Sequence, residues 1–238
     1  MINIQINLGN CLDGLKQQPS ESVDCIITSP PYKDIDKFDY QNQLDIFTEC
    51  ARVMKKDSLC FINFGHLAEQ KSRPFRLVTL LEDNIKDFNL QETFTWHKAQ
   101  YSPIQGNRRV NNLTEFIFMF SKGKMPIINR LAVGVPYADE NNAKRYGGGK
   151  NLRCSGNYWY MPYETIHDRS QKLHNDRFPL ELPTRCLKLA NAKSDWLVLD
   201  PFSGSATTAL ACQQLGLNFI GWEINKNHYD IAINRLKK

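Results

Sequence analysis

Apolar residues in the first half of the chain gather in short runs separated by longer amphipathic stretches. Val23–Thr28 and Ser58–Phe64 read as short apolar strands, with a helical pattern at about 44–54 between them. Glu92–Trp96 and Thr114–Ser121 read as two further strands, the second carrying Phe116-Ile117-Phe118-Met119-Phe120. The alternation resumes near the end. A helix is predicted at about 180–190 behind Pro179, a strand at 196–199, a helix at about 206–215, a strand at 218–222 and a helix at about 226–236. Repeated strand-helix-strand order predicts an α/β fold: a mostly parallel sheet with helices on both faces.

The middle of the chain differs. From Lys122 to Lys172 no helical period persists, and Asn, Gly, Arg and Tyr dominate, as in Tyr146-Gly-Gly-Gly-Lys150 and Ser155-Gly-Asn-Tyr-Trp-Tyr160. A long irregular stretch inside a compact domain is usually a functional loop region, and the interleaved aromatics argue against plain disorder. No internal repeat is present. The stretch holds nine Lys/Arg against four Asp/Glu, so it alone carries a balance equal to the +5 of the whole chain. It reads either as a surface that tracks phosphates or as a solvated insertion. Residues 1–122, 123–172 and 173–238 are thus expected to be one half of a domain, an insertion, and the other half.

With 238 residues, 42% hydrophobic, the chain can bury a full core in a single domain bearing that insertion. No apolar run of about 18 residues exists, and the N-terminus shows no basic start followed by an apolar stretch, so a membrane span and a secretory signal are not expected. The seven cysteines form no C-x-x-C pair. They read as reduced core residues of a cytoplasmic protein rather than disulfides or zinc ligands. His66, His97, His167, His174 and His228 lack metal-ligand spacing, so no metal is expected.

Candidate chemistry sits just after two of the strand-like runs. Asp200-Pro201-Phe202-Ser203-Gly204-Ser205-Ala206-Thr207-Thr208 lies between a strand and a helix. Glycine in such a turn lets the backbone approach a ligand, and the helix N-terminus beyond it suits a carboxylate or phosphate. Glu223 lies nineteen residues past Gly204, after the next strand, where an acid can accept from both hydroxyls of a ribose. Far upstream, Thr28-Ser29-Pro30-Pro31-Tyr32 also follows a strand. Both stretches therefore fall at the carboxyl edge of the predicted sheet, where open α/β folds bind ligands.

The first stretch resembles the Asp-Pro-Phe-x-Gly-Ser-Gly-Thr-Thr signature of DNA amino-methyltransferases, and the second resembles their Ser-Pro-Pro-Tyr loop. Ala206 occupies the place of the signature's last glycine. Trp96-His97-Lys98 is similar to a Trp-x-Lys element of the family. His174 with Phe178-Pro179 and Leu182-Pro183 is similar to the element before the signature, and Asn10 stands where the family often has Asp. The resemblance covers the chain except about residues 125–170. With the Pro-Pro loop first, the order along the chain matches the beta group, whose fold is a circularly permuted, Rossmann-like methyltransferase. It departs from the glutamine N5-methyltransferases, and the absence of any Pro-Cys dipeptide excludes the C5-cytosine mechanism.

The resemblance implies an enzyme that moves a methyl group from S-adenosylmethionine (SAM) to the exocyclic amine of a base flipped out of double-stranded DNA. It implies SAM contacts at Asn10, Asp200, Pro201, Phe202, Ser203, Gly204, Ser205, Thr207 and Glu223. Asp200 would face the methionine amino group, Phe202 would flank the cofactor and Glu223 would hold the ribose. Ser29 and Pro30 would accept from the target amine, Pro31 would stiffen the loop and Tyr32 would stack on the base. Proline-fixed acceptors accelerate such a transfer by positioning rather than by a nucleophilic side chain. Lys98, Arg108, Arg109, Lys144 and Arg145 are the expected DNA contacts, and 123–172 the expected target-recognition segment. Ser-Pro-Pro-Tyr leans towards N4 of cytosine, with N6 of adenine as the alternative. A catalytically silent DNA-binding relic and an RNA or protein methyltransferase stand behind these. A homodimer and a separately encoded restriction endonuclease are left open.

Overall fold

A computed structural model describes residues 2–31, 38–65, 70–98, 110–162 and 178–237. Eight strands form a single sheet: β1 (Ile4–Leu8), β2 (Val23–Thr28), β3 (Met54–Phe64), β4 (Phe88–His97), β5 (Thr114–Lys122), β6 (Tyr158–Tyr160), β7 (Leu197–Asp200) and β8 (Asn218–Glu223). Their order across the sheet is β1-β8-β7-β2-β3-β5-β4-β6, and only β5 runs against its neighbours. The mostly parallel α/β expectation therefore holds.

Among the described residues there are seven helices: α1 (Cys11–Lys16), α2 (Tyr40–Val53), α3 (Arg73–Asn84), α4 (Glu140–Tyr146), α5 (Glu181–Leu189), α6 (Thr207–Leu215) and α7 (Lys226–Leu236). The sheet's two faces are shared out by sequence. α1, α2 and α3 bury Leu15, Phe47, Cys50, Leu77 and Leu81 against Ile26, Cys60, Ile62 and Phe118. α5, α6 and α7 bury Leu182, Cys186, Ala209, Cys212 and Ala232 against Cys25, Ile27, Phe61 and Val198 on the other. Strand residues alternate between faces, so strands covered on both sides are apolar at nearly every position. That is the origin of the continuous runs at 25–27 and 59–62.

This arrangement decides where a site can form. From β2 the chain crosses through α2 to β3 on one side, while from β7 it crosses through α6 to β8 on the other. β2 and β7 are themselves adjacent, paired at Cys25↔Val198 and Ile26↔Leu199. The two crossovers leave in opposite directions, which opens a crevice beyond the carboxyl ends of β2 and β7. Both sequence motifs begin at that crevice.

The middle segment departs from expectation in two ways. It contains α4, capped by Asp139 through a 2.8 Å bond from the Asn141 amide. It also returns to the sheet as β6, which pairs in parallel with β4 and buries Trp159 against Phe94, ring centroids 4.4 Å apart. Neither element shows a period in the sequence: α4 buries no residue, and β6 has three residues. The cysteines are all free and six are buried, but Cys154 in this segment is exposed, contrary to the expectation of a core role for all seven.

Candidate active site

The segment after β2 is built from a buried Thr28, a half-buried Ser29, a buried Pro30 and an exposed Pro31. Tyr32, the expected stacking residue, lies outside the described residues. Two prolines in succession fix φ and offer carbonyls without N–H donors, leaving acceptor oxygens beside the Ser29 hydroxyl.

Across the crevice, Asp200 ends β7 and is 1% exposed. One carboxylate oxygen accepts from the Thr28 hydroxyl at 2.7 Å and the Phe202 amide at 3.0 Å. The other accepts from the Thr208 hydroxyl at 2.9 Å. Burial pushes this carboxyl up to about 6, against the pull of those three donors and with a small push from the Glu223 charge. Asp200 thus ties the end of β2 to the first turn of α6, a role that a reading of the motifs one at a time does not reveal.

The turn between β7 and α6 is shaped by close packing. The Ser203 hydroxyl donates to the Asp200 carbonyl at 3.0 Å, and the Ser203 amide donates to the Trp222 carbonyl at 2.9 Å. A Cβ at Gly221 would meet the Ser203 oxygen at 2.0 Å, so β8 needs glycine there. Gly204 follows at φ +51°, and its amide donates to Glu223 at 2.9 Å. Glu223's other oxygen accepts from the Asn225 amide at 2.7 Å. Each carboxylate oxygen retains a lone pair, so Glu223 suits a pair of ribose hydroxyls at the sheet edge. Ala206 then adopts the left-handed conformation, φ 67° and ψ 34°, and no side chain caps α6. The first amides of α6 are left for a carboxylate. Pro201 is buried, and Phe202 is half-buried against the core beneath α1 to α3.

Other expected contacts are placed differently. Ser205 and Thr207 point to α7: Arg235 donates to the Ser205 carbonyl, to the Ser205 hydroxyl at 2.9 Å and to the Thr207 hydroxyl at 3.4 Å. These hydroxyls therefore brace the loop from behind. Asn10 is the N-cap of α1, its side-chain oxygen accepting from the Leu12 amide at 2.9 Å. Asn and Asp cap helices equally well, which accounts for the exchange at this position. Lys98, expected on DNA, is almost buried in an ion pair with Glu115 at 3.1 Å. Lys144 and Arg145 are exposed on the last turn of α4, while Arg108 and Arg109 lie outside the described residues, as do His66, His167 and His174. Among the described residues no group of His, Cys, Asp or Glu could hold a metal ion, and no helix is long and apolar enough to cross a membrane. The signal missed in the sequence is the threonine on each side of Asp200. Thr28 precedes the Pro-Pro loop and Thr208 ends the glycine stretch, and only the β2–β7 pairing brings them together.

An open α/β sheet with a Pro-Pro loop and a glycine turn meeting at its switch point is the architecture of a nucleotide-binding α/β protein. The DNA methylase family model, covering N6 and N4 enzymes, matches residues 23–234. Type II methyltransferase M.Cfr9I of Citrobacter freundii is 30% identical, over 96% of this chain and 86% of its own length. Type II methyltransferase M1.MboII of Moraxella bovis is 28% identical, over 98% of this chain and 97% of its own. In fold, the chain is similar to the PvuII DNA methyltransferase (cytosine-N4-specific), with a TM-score of 0.78 over 98% of this chain and 86% of that one at 21% identity. It is also similar to the M1.HpyAVI–SAM complex, with a TM-score of 0.64 over 99% of this chain and 100% of that one at 24% identity. The chain belongs to the N6/N4 DNA methylase family and is a SAM-dependent DNA methyltransferase.

Proposed function

We propose that this enzyme methylates N4 of cytosine within a specific DNA sequence. The observation that carries the reading is the Ser29-Pro30-Pro31 segment, held at the end of β2 beside the glycine turn through the Thr28–Asp200 bond. An exocyclic amine is a poor nucleophile because its lone pair is delocalised into the ring. Ser29 and Pro30 oxygens accepting its two hydrogens draw them out of the ring plane, and the lone pair turns towards the sulfonium methyl. Transfer would exchange the donor's methyl–sulfur bond for the new carbon–nitrogen bond, and one amine proton would leave to solvent. Tyr32, outside the described residues, would stack on the flipped base. Bound SAM supplies the electrophilic methyl. The α6 amides would take its carboxylate and Glu223 its ribose, Phe202 would pack along it, and Asp200, its carboxylate buried between Thr28 and Thr208, would shape the turn beside its amino group.

Residues 123–172 serve as the target-recognition segment, with Lys144 and Arg145 on phosphates. Its small size argues for a short recognition sequence. Ser29 in place of an aspartate favours cytosine, and N6 of adenine is the alternative because the same acceptors suit either amine. M.Cfr9I and M1.MboII carry the designation type II, which supports pairing with a separate restriction endonuclease.

Incubation of the purified protein with unmethylated DNA and SAM, followed by nucleoside mass spectrometry, tests the base. N4-methylcytosine is expected. N6-methyladenine would overturn the assignment to cytosine and keep the mechanism. No methylated nucleoside from the wild type would turn attention to a silent relic or another substrate.

A further inference from the structure

Thr28 lies outside both sets of residues assigned above to target base and cofactor, yet its side chain is fully buried and bonded to Asp200. Its hydroxyl donates to Asp200 at 2.7 Å from the last position of β2, immediately before Ser29. On the other side Thr208, in the first turn of α6, donates to the second Asp200 oxygen at 2.9 Å and lies 3.5 Å from the Ile27 carbonyl. The sheet itself pairs β2 with β7 only at Cys25↔Val198 and Ile26↔Leu199. Beyond those residues the ladder stops. The loop carrying the acceptor oxygens and the loop carrying the methyl donor then leave the sheet independently. Among the described residues, the threonine–aspartate–threonine bridge joins the two loops just where the backbone ladder ends.

We propose that Thr28 is a positioning residue for methyl transfer: through Asp200 and Thr208 it fixes the distance between the target-amine loop and the SAM loop. The inference rests on the amino-methyltransferase reading of the two loops. Transfer depends steeply on the approach of the amine to the methyl carbon, and a misplacement of about 1 Å can cost about a hundredfold in rate. Valine at this position keeps the shape of threonine and removes the hydroxyl. Asp200 would keep its bonds to Thr208 and Phe202, so SAM would still find its site, while the Ser29 loop would lose its register.

The test compares full-length wild type, Thr28→Val and Thr28→Ser. Thr28→Val should bind SAM and DNA within about threefold of wild type and lose at least about tenfold in single-turnover methyl transfer, the scale of one lost bond in a positioned site. Thr28→Ser keeps the hydroxyl and should recover most of that rate. A purely structural residue would lower thermal stability and leave the rate of the folded fraction alone. In turnover, three outcomes overturn the proposal: an unchanged rate in Thr28→Val, a rate loss matched by an equal loss of SAM affinity, or a Thr28→Ser as slow as the valine variant. Hydrogen exchange provides an arm that needs no turnover. SAM should protect the amide of Ser29 in wild type and in Thr28→Ser, and not in Thr28→Val; equal protection in all three sinks the idea. A wild type that shows this protection and methylates no DNA would instead refute the assigned reaction and leave the coupling standing.

Discussion

A carboxylate placed out of reach of water costs free energy unless donors surround it. Asp200 has three, and burial still holds it near 6 rather than its ordinary 3.8. The folded state therefore retains this proton where the unfolded chain has released it. The group's stabilising contribution is fully present below about pH 3.8 and is lost as pH rises through about 6. At about 1.4 kcal/mol per pH unit the loss is on the order of 3 kcal/mol. Asp200→Asn carries no such proton. Urea unfolding of the two proteins at pH 4 and pH 7.5 should show the stability difference shifting by roughly that amount in favour of the variant as pH rises. A constant difference across that range would mean that Asp200 is not buried as described. Asp200→Asn keeps one acceptor oxygen for the Thr28 hydroxyl and the Phe202 amide but turns an NH2 donor towards Thr208, reversing that bond, so methyl transfer should fall even where stability rises.

At the scale of elements, strands covered on both faces were the legible part. β2, β3 and β5 announce themselves through apolar runs such as 116–120, and α2, α5, α6 and α7 through their period, with ends within a few residues of those observed. β1 was invisible because, as an edge strand, it buries Ile6 alone among five residues. α1 is six residues long and rests on its Asn10 cap. The expectation also omits α3, although Pro74 in its first turn and Leu77, Val78 and Leu81 mark it. The site followed the same rule. Its loops were readable because glycine and proline leave signatures, whereas the Asp200 bridge depends on two elements 172 residues apart in the chain. One expectation gained a cause: Ala206 stands where a glycine is expected because the α6 N-cap is left-handed. A left-handed alanine costs about 1–2 kcal/mol, partly offset by about 0.8 kcal/mol from its buried methyl. Ala206→Gly should therefore change stability by less than about 1 kcal/mol. Ala206→Val forces a branched side chain into that conformation at a fully buried position and should lose more than about 2 kcal/mol in urea unfolding. Equal stability of the valine variant would contradict the left-handed cap.

At the scale of the whole molecule, charge and fold point to different parts of one reaction. The crevice between β2 and β7 can place an amine against a methyl group, but its described surroundings offer few free cations: Lys98 is committed to Glu115 and Arg235 to the loop behind the cofactor turn. The positive excess lies instead on the segment that returns to the sheet at β6, where Lys144 and Arg145 stand exposed at the end of α4. DNA held only at the crevice would bind with little dependence on salt. DNA that also lies along α4 would release counterions from each neutralised phosphate. Replacement of Lys144 and Arg145 by alanine should reduce the slope of log K against log salt by about 2, close to 0.9 for each lost contact. It should do so equally for DNA with and without the recognition sequence, because phosphate contacts carry no sequence information. Binding isotherms between 50 and 200 mM salt measure this directly, a range over which such contacts change affinity by roughly an order of magnitude or more. An unchanged slope would make α4 a solvated projection and move the phosphate contacts elsewhere on the sheet edge. A loss confined to the cognate sequence would mean that these side chains read bases.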